Sequence, residues 1–426
     1  MDLTRKTAFD VLYGIEQENT YSNLALNRYI AENRPENPAL VRELVYGVLE
    51  NKILLDYILD KLIPSGIKKV KKKEKTILRM GLYQILFTDG IPAYAAVSQS
   101  VNIAKKICRG REGFINGVLR GYIRKKDEIS LPDKEKDIKS YLSVKYSFPI
   151  WIIELWIEEY GLELCEELLQ SSNKRPKLSI RVNLLKSEVS ALKDTLVNMG
   201  FEVDEGKFSA RTLHVKGSGL LDTEEYKTGL FSVQDEASTV AADMIEATDE
   251  STVIDVCAAP GGKTMAIAEK MNNSGQIIAC DIYEHKLNII DAQAKRLGIK
   301  IIGTKLLDGT KGDQSMCNSA DRVLVDVPCS GLGVIRRKPE IKYKGQGDFA
   351  ELIDIQSNIL KKSAQYVKIN GILVYSTCTL NNKENQNQTK KFIENNKNFE
   401  IIDERCFLPT EDIDGFYVCK MRKKGE

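Results

Sequence analysis

Histidine is almost absent from this chain of 426 residues, which contains only two. Catalytic triads and most zinc centres depend on histidine, so neither kind of site is expected. The nine cysteines form no CxxC pairs, which argues against both a zinc ribbon and a disulfide framework. We therefore expect no metal site, and free thiols of the kind found in a reducing cytosol.

Long apolar runs are missing as well. No stretch approaches the roughly 18 consecutive apolar residues that a membrane span needs, and the charged residues 1–10 lack the apolar core of a signal peptide. The sequence predicts a cytoplasmic protein with no membrane contact.

Net charge is small, but it is unevenly distributed. The whole chain carries 62 basic and 60 acidic residues, whereas residues 1–130 hold 22 basic and 15 acidic ones. Such a basic amino-terminal segment indicates a nucleic-acid partner. Its densest lysine cluster lies at residues 68–75, where a solvated helix face is an equally good interpretation.

The apolar pattern divides the chain into three segments. Residues 1–130 show helical periodicity, interrupted by short breaks containing Pro and Gly. A charged linker leads to residues 138–230, a mixed segment that we interpret as a small α/β module. Residues 231–426 alternate apolar strands with helices, which predicts a doubly wound, mostly parallel sheet with ligands at the carboxyl ends of its strands.

A loop of small residues follows the first strand of that sheet and runs directly into a helix. Small side chains let backbone N–H groups and a helix amino terminus approach a ligand closely. The loop lacks the glycine pattern of a Walker A motif, because Cys257 stands where a glycine is needed, and it lacks the dinucleotide fingerprint G-x-G-x-x-G. The candidate cofactor-binding residues here are Cys257, Ala258, Ala259, Pro260, Gly261, Gly262 and Lys263.

Acidic residues end the next two strands. Asp281 follows the loop at roughly the 20-residue spacing at which a carboxylate reaches ribose hydroxyls, and Asp308 is suited to an adenine edge. These acids, together with the absence of a phosphate-binding loop, favour a nucleoside cofactor without phosphate, such as S-adenosylmethionine. Asp281 could instead be an ordinary helix-capping residue.

Cysteines end the fourth and fifth strands, in Asp326-Val-Pro-Cys329 and Ser-Thr-Cys378. A lone cysteine is usually a small buried residue, and Cys257 is read as a small loop residue. The same buried reading applies to Cys108, Cys165, Cys280, Cys317, Cys406 and Cys419. Two cysteines at neighbouring strand ends, however, favour a functional role over a purely structural one.

A thiolate, a carboxylate and a methyl donor together suit methylation of carbon 5 of cytosine. Addition of a thiolate at carbon 6 makes carbon 5 nucleophilic, which is covalent catalysis. Cys378 is the candidate nucleophile and Cys329 the candidate that helps release the product. Asp326 would contact the N3/N4 edge of the base, and Lys263 is a possible cation for stabilising the thiolate.

The motifs DVCAAPGGKT, DVPCSGLG and YSTCTL, in this order, resemble those of the NOL1/NOP2/Sun family of RNA cytosine-C5 methyltransferases. The resemblance implies a Rossmann-like class I methyltransferase domain with a seven-stranded sheet. It also implies that Cys378 attacks and Cys329 assists release, and that residues 257–263, Asp281, Asp308 and Asp326 contact S-adenosylmethionine.

Segments of residues 79–120 are similar to NusB-like helical domains, which indicates the bacterial 16S ribosomal RNA subgroup of this family. The resemblance therefore covers essentially the whole chain and implies a monomer that acts on 16S ribosomal RNA. Around residues 381–385 the family pattern is weaker, so a role for Glu384 is in doubt. Two alternatives are a non-catalytic RNA-binding or antitermination factor and a DNA cytosine methyltransferase.

Overall fold

The computed structural model describes residues 2–18, 20–345 and 349–425. Within them the chain forms two compact units, one comprising Met1–Asn173 with Ile335–Lys344 and the other comprising Lys174–Val334 with Gly345–Glu426. The three segment boundaries expected from the sequence stay predictions. Among the described residues, no helix combines the length and the apolar character needed to cross a bilayer.

The first unit is helical, as the periodicity of residues 1–130 predicts for that part of it. Ala8, Val11 and Leu12, which share one face of the first helix, are at most 3% exposed, so that face packs into the core of the unit. Its helices are α1 (Leu3–Glu18), α2 (Ser22–Asn33), α3 (Pro38–Glu50), α4 (Lys52–Leu62), α5 (Lys72–Phe87), α6 (Ala93–Ile107), α7 (Glu112–Lys125), α8 (Ile138–Tyr146), α9 (Ile150–Tyr160) and α10 (Leu162–Ser171).

A small antiparallel sheet opens the second unit. Its strand order is β2-β3-β1-β4, and one face covers a core of Leu, Ile, Val and Phe side chains. The elements are β1 (Leu178–Val182), α11 (Val189–Asn198), β2 (Glu202–Glu205), β3 (Thr212–Lys216), α12 (Glu224–Lys227), β4 (Phe231–Val233) and α13 (Glu236–Asp243).

The large sheet has seven strands in the order β10-β11-β9-β8-β5-β6-β7, which confirms the predicted mostly parallel seven-stranded sheet. Strands β5 to β9 pair in parallel, and β10 and β11 add an antiparallel edge. The elements are β5 (Thr252–Asp255), α14 (Gly262–Lys270), β6 (Gln276–Asp281), α15 (Glu284–Leu297), β7 (Ile302–Leu306), β8 (Ala320–Asp326), α16 (Ala350–Ser363), β9 (Val367–Thr377), α17 (Gln386–Asn395), β10 (Phe399–Phe407) and β11 (Phe416–Lys423).

The strand order reverses between β5 and β8. From β5 the chain proceeds outward to β6 and β7, and then returns to place β8 and β9 on the other side of β5. Connections at such a switch point diverge to opposite faces of the sheet and leave a crevice at the carboxyl ends of the strands. The loops after β5, β8 and β9 all open at this edge.

Candidate active site

The small-residue loop lies at the switch point, between the end of β5 and the start of α14. Its backbone is fixed by a hydrogen bond from Ala258 N to the carbonyl of Cys280 (2.8 Å) and by one from Gly261 N to the carbonyl of Ala258 (2.7 Å). Gly261 has a φ of 101°, a conformation that glycine adopts without strain. The loop is thus held against β6, with the amino terminus of α14 directed at the crevice.

Asp255 is the last residue of β5 and lies beneath this loop. It is not among the site residues predicted from the sequence, although a single carboxylate at the end of an apolar strand could have indicated it. It is 1% exposed. Its Oδ2 accepts a hydrogen bond from the Thr264 hydroxyl (2.7 Å), whereas Oδ1 has no partner among the described residues. Burial raises the pKa of Asp255 to about 7, and the nearby Asp326 carboxylate adds to the rise.

Asp281 and Asp308 lie at the ends of adjacent parallel strands, β6 and β7, as expected. Asp281 accepts a hydrogen bond from Tyr283 N (3.0 Å), but Tyr283 and not Asp281 occupies the N-cap position of α15. Hydrogen bonds from the Thr310 side chain and backbone, with a contribution from Lys311, lower the pKa of Asp308. Both carboxylates stand along the crevice, where they can accept hydrogen bonds from a nucleoside.

Lys263 and Asp326 form an ion pair across the switch point. The Lys263 Nζ lies 2.7 Å from Asp326 Oδ2, and the Ser376 hydroxyl donates to Asp326 Oδ1 over 2.7 Å. Burial alone would lower the pKa of Lys263, but the Asp326 carboxylate outweighs it and the pKa is raised. Lys263 therefore stays cationic beside the cysteine loops.

The two cysteines meet. Cys329 Sγ and Cys378 Sγ are 3.3 Å apart, which is hydrogen-bond contact for thiols. The hydrogen bond with Cys378, burial, and the charges of Cys378 and Glu384 raise the pKa of the Cys329 thiol well above its ordinary value. The backbone carbonyl of Cys378 accepts from Gly333 N (3.0 Å), which joins the two loops a second time.

Glu384, whose role the sequence left in doubt, has a fully buried side chain between the cysteine loops. Its carboxylate accepts hydrogen bonds from Ser330 N (2.8 Å), Gln356 Nε2 (2.9 Å) and Asn381 Nδ2 (2.9 Å), and also from the Ser330 hydroxyl. Sequence spacing could not reveal this cluster, because its donors come from three separate segments.

Of the remaining cysteines, Cys108, which was expected to be buried, is only partly buried against the core of the helical unit, and Cys257 is also partly exposed. Cys165, Cys280 and Cys419 are buried, as expected. The expectation was wrong for Cys317 and Cys406, which are exposed because Cys317 lies in the turn before β8 and Cys406 on the solvent face of the edge strand β10. Among the residues that the structure describes, no cluster of His, Cys, Asp and Glu could hold a metal ion.

A buried ion pair connects the small sheet to the cofactor loop. Arg181 on β1 and Glu269 on α14 are both fully buried, with Nη2 and Oε1 2.8 Å apart. Arg181 also donates to the carbonyl of Gly262 (2.8 Å). The first turn of α14 is therefore anchored from β1.

Comparison with known proteins agrees with this geometry. A model for the 16S rRNA methyltransferase RsmB/F matches residues 242–422, a NusB family model matches residues 2–124, and a model of the ferredoxin-like domain of RsmF/B-like methyltransferases matches residues 148–220. These matches cover the catalytic sheet, the helical unit and part of the segment between them.

Two curated relatives cover nearly the full chain. A probable ribosomal RNA small subunit methyltransferase B of Bacillus subtilis (strain 168) is 38% identical, over 99% of both chains. The ribosomal RNA small subunit methyltransferase B of Escherichia fergusonii is 31% identical, over 96% of both.

Solved structures show the same fold. The crystal structure of a protein titled PH0851 has a TM-score of 0.84 at 25% identity, over 99% of both chains. NSun6 from Pyrococcus horikoshii has a TM-score of 0.59 at 21% identity, over 66% of this chain and all of that one. The fold is that of an S-adenosylmethionine-dependent methyltransferase, and the chain belongs to the ribosomal RNA small subunit methyltransferase B family.

Proposed function

We propose that this protein methylates carbon 5 of a cytosine in 16S ribosomal RNA, through a transient bond between Cys378 and carbon 6 of the base. The observation that carries the proposal is the contact of Cys378 with Cys329 at the carboxyl edge of the sheet, beside the Lys263–Asp326 ion pair. We place this activity in the cytoplasm, with RNA contacts supplied by the basic residues 1–130.

S-adenosylmethionine fits the residues at the switch point. Residues 257–263 offer backbone N–H groups at a helix amino terminus, and Asp281 and Asp308 offer carboxylates to a nucleoside. Below the same loop, Asp255 has a buried oxygen with no hydrogen-bond partner in the described part of the chain. When bound there, the cofactor supplies an electrophilic methyl group for carbon 5.

The protein's own residues supply the remaining chemistry. The Cys378 thiolate donates an electron pair to carbon 6, the carbon 5–carbon 6 double bond opens, and the ring takes up a proton from water at N3. Asp326 accepts a hydrogen bond from the N3/N4 edge and so stabilises the adduct. After methylation, Cys329 assists removal of the carbon 5 proton. The electrons left behind restore the double bond and expel the Cys378 thiolate, and N3 returns its proton.

Transfer of a tritiated methyl group to purified 16S ribosomal RNA and, separately, to DNA tests the proposal. We expect RNA to be labelled and DNA not. Labelling of DNA alone would favour a DNA methyltransferase, and labelling of neither would favour a non-catalytic RNA-binding factor. Loss of a single 5-methylcytosine from small-subunit RNA in cells lacking the gene would identify the target.

Two cysteine variants separate attack from release in the same assay. Cys378→Ala is expected to abolish methyl transfer while S-adenosylhomocysteine still binds. Cys329→Ala is expected to attack without release, so that a protein–RNA adduct survives denaturing electrophoresis. Substantial turnover by Cys378→Ala, or no adduct with Cys329→Ala, would contradict the assigned roles.

A further inference from the structure

The two thiols of the cysteine pair differ chemically only through their surroundings. At 3.3 Å, two thiolates would repel each other strongly, so the pair holds at most one negative charge near neutral pH and shares the remaining proton. Whichever sulfur holds the proton cannot attack. The sulfur–sulfur distance does not determine which one that is.

The Glu384 side chain is hydrogen-bonded to both of the loops that carry the cysteines. Through Ser330 it binds the residue next to Cys329, and through Asn381 it binds the loop that follows Cys378. The Tyr375 hydroxyl donates to the backbone carbonyl of Glu384 over 2.7 Å. One side chain therefore holds together the two loops that carry the sulfurs.

The neighbouring Asn385 binds the residues on both sides of Cys378. Its Oδ1 accepts from the Thr377 hydroxyl (2.6 Å), and its Nδ2 donates to the carbonyl of Thr379 (2.9 Å). Rotation of the Cys378 loop away from Cys329 would break both contacts. The thiol pair is thus a preformed feature of the fold.

The charges around the pair are arranged asymmetrically. The Glu384 carboxylate acts on Cys329, whose ionisation it opposes. On the other side, the Lys263 ammonium interacts with Cys378, although Asp326 neutralises part of its charge. Tyr375 is a further titratable group beside the pair, and burial raises its pKa, so it is neutral. The Glu384 charge thus acts on Cys329 and the Lys263 charge on Cys378.

We propose that Glu384 is a positioning residue that holds the two thiols in contact and keeps their shared proton on Cys329, which leaves the negative charge on Cys378. This inference rests on the proposed function, in which Cys378 attacks. It adds the reason why Cys378, and not Cys329, attacks the base.

The same arrangement sets the order of events. Once the Cys378 sulfur is bonded to carbon, its negative charge no longer opposes ionisation of Cys329. The Cys329 thiol can then lose its proton to water and accept the proton from carbon 5. Because Glu384 disfavours the Cys329 thiolate, that thiolate is a stronger base when it forms.

Site-resolved alkylation of the full-length protein without RNA tests the proposal. Iodoacetamide reacts with thiolates, and peptide mass spectrometry can measure labelling of Cys329 and Cys378 relative to the exposed Cys317. In the unmodified protein we expect Cys378 to be labelled first. In Glu384→Gln we expect the ratio of Cys329 to Cys378 labelling to rise about tenfold, as for a shift of one pKa unit.

Ser330→Ala is the matched control, because it removes one donor and keeps the carboxylate. Its labelling ratio should stay within about twofold of the unmodified protein. Thermal melting confirms that each variant is folded. An unchanged ratio in folded Glu384→Gln, or an equal change in Ser330→Ala, would overturn the proposal.

A pH series on the unmodified protein tests the proposal without any variant. Cys378 must become reactive at lower pH than Cys329, and the reverse order would overturn the inference. Because no methyl transfer is involved, the outcome is independent of the proposed function. Expected labelling together with full activity of Cys378→Ala would reject the catalytic role and leave the proton arrangement intact.

Discussion

Asp255 and Glu384 are both buried carboxylates, but their hydrogen bonding differs. Four neutral donors reach the oxygens of Glu384. Asp255 receives one hydrogen bond, from Thr264, and its Oδ1 has no partner among the described residues. A buried charge without donors costs much more than a satisfied one, which is why burial raises the pKa of Asp255 to about 7.

This shift predicts a pH-dependent loss of stability. Between the unfolded pKa near 4 and the folded pKa of about 7, the folded protein holds a proton on Asp255 that the unfolded chain has released, so stability falls as pH rises. The full effect is about 4 kcal/mol. Asp255→Asn removes it, and we expect the melting temperature of the variant relative to the unmodified protein to increase from pH 5 to pH 8.

Differential scanning calorimetry at several pH values measures this change. Asp249→Asn, in an exposed turn of the same unit, is a control that should show no such trend. A constant difference between Asp255→Asn and the unmodified protein across the range would show that Asp255 does not take up a proton on folding.

At the scale of elements, the sequence was most informative where a parallel strand ends. The loops after β5, β8 and β9 could be predicted as neighbours because parallel strands direct their carboxyl ends to one edge. The resemblance implied seven strands, but the positions of the antiparallel strands β10 and β11 were not predicted, since they follow the last recognised motif. The Glu384 cluster was also missed, because side-chain hydrogen bonds between distant segments leave no periodic signal.

The loop after β8 makes a close backbone contact that no sequence pattern indicated. Gly333 N donates to the carbonyl of Cys378 (3.0 Å), and Gly415 N donates to the carbonyl of Gly333 (2.9 Å). A Cβ on Gly333 would lie 2.0 Å from the oxygen of Gly415. Backbone atoms cannot yield as a flexible side chain would, so only glycine fits at position 333.

Gly333→Ala is therefore expected to displace the Cys378 loop. We expect a destabilisation of about 1–3 kcal/mol, the usual effect of overpacking, and a loss of methyl transfer larger than the loss of folded protein. Chemical denaturation and the tritium assay measure the two effects. Gly303→Ala on β7 is the matched control, because its Cβ would meet nothing within 4 Å. Equal behaviour of the two variants would contradict this account.

At the scale of the whole molecule, the two compact units each contain a buried arginine with carboxylate partners. In the helical unit, Arg79 lies 2.6 Å from both Asp56 and Glu16. In the other unit, Arg181 pairs with Glu269. Removing one member of a buried pair costs about 3–5 kcal/mol when it leaves a buried charge uncompensated. The cost here is smaller, because Arg211 still contacts Glu269 (3.3 Å) and Lys52 still contacts Glu16 (3.0 Å). These pairs can therefore report on each unit separately.

We expect Arg181→Met to lower the melting temperature of the catalytic unit and to leave that of the helical unit unchanged. Arg79→Met should lower the melting temperature of the helical unit and leave that of the catalytic unit unchanged. S-adenosylhomocysteine identifies the catalytic transition in calorimetry, because a ligand stabilises the unit that binds it. Since Arg181 also holds the carbonyl of Gly262, Arg181→Met should weaken that ligand-induced shift, whereas Arg79→Met should preserve it. A common shift of both transitions in either variant would mean that the two units unfold as one.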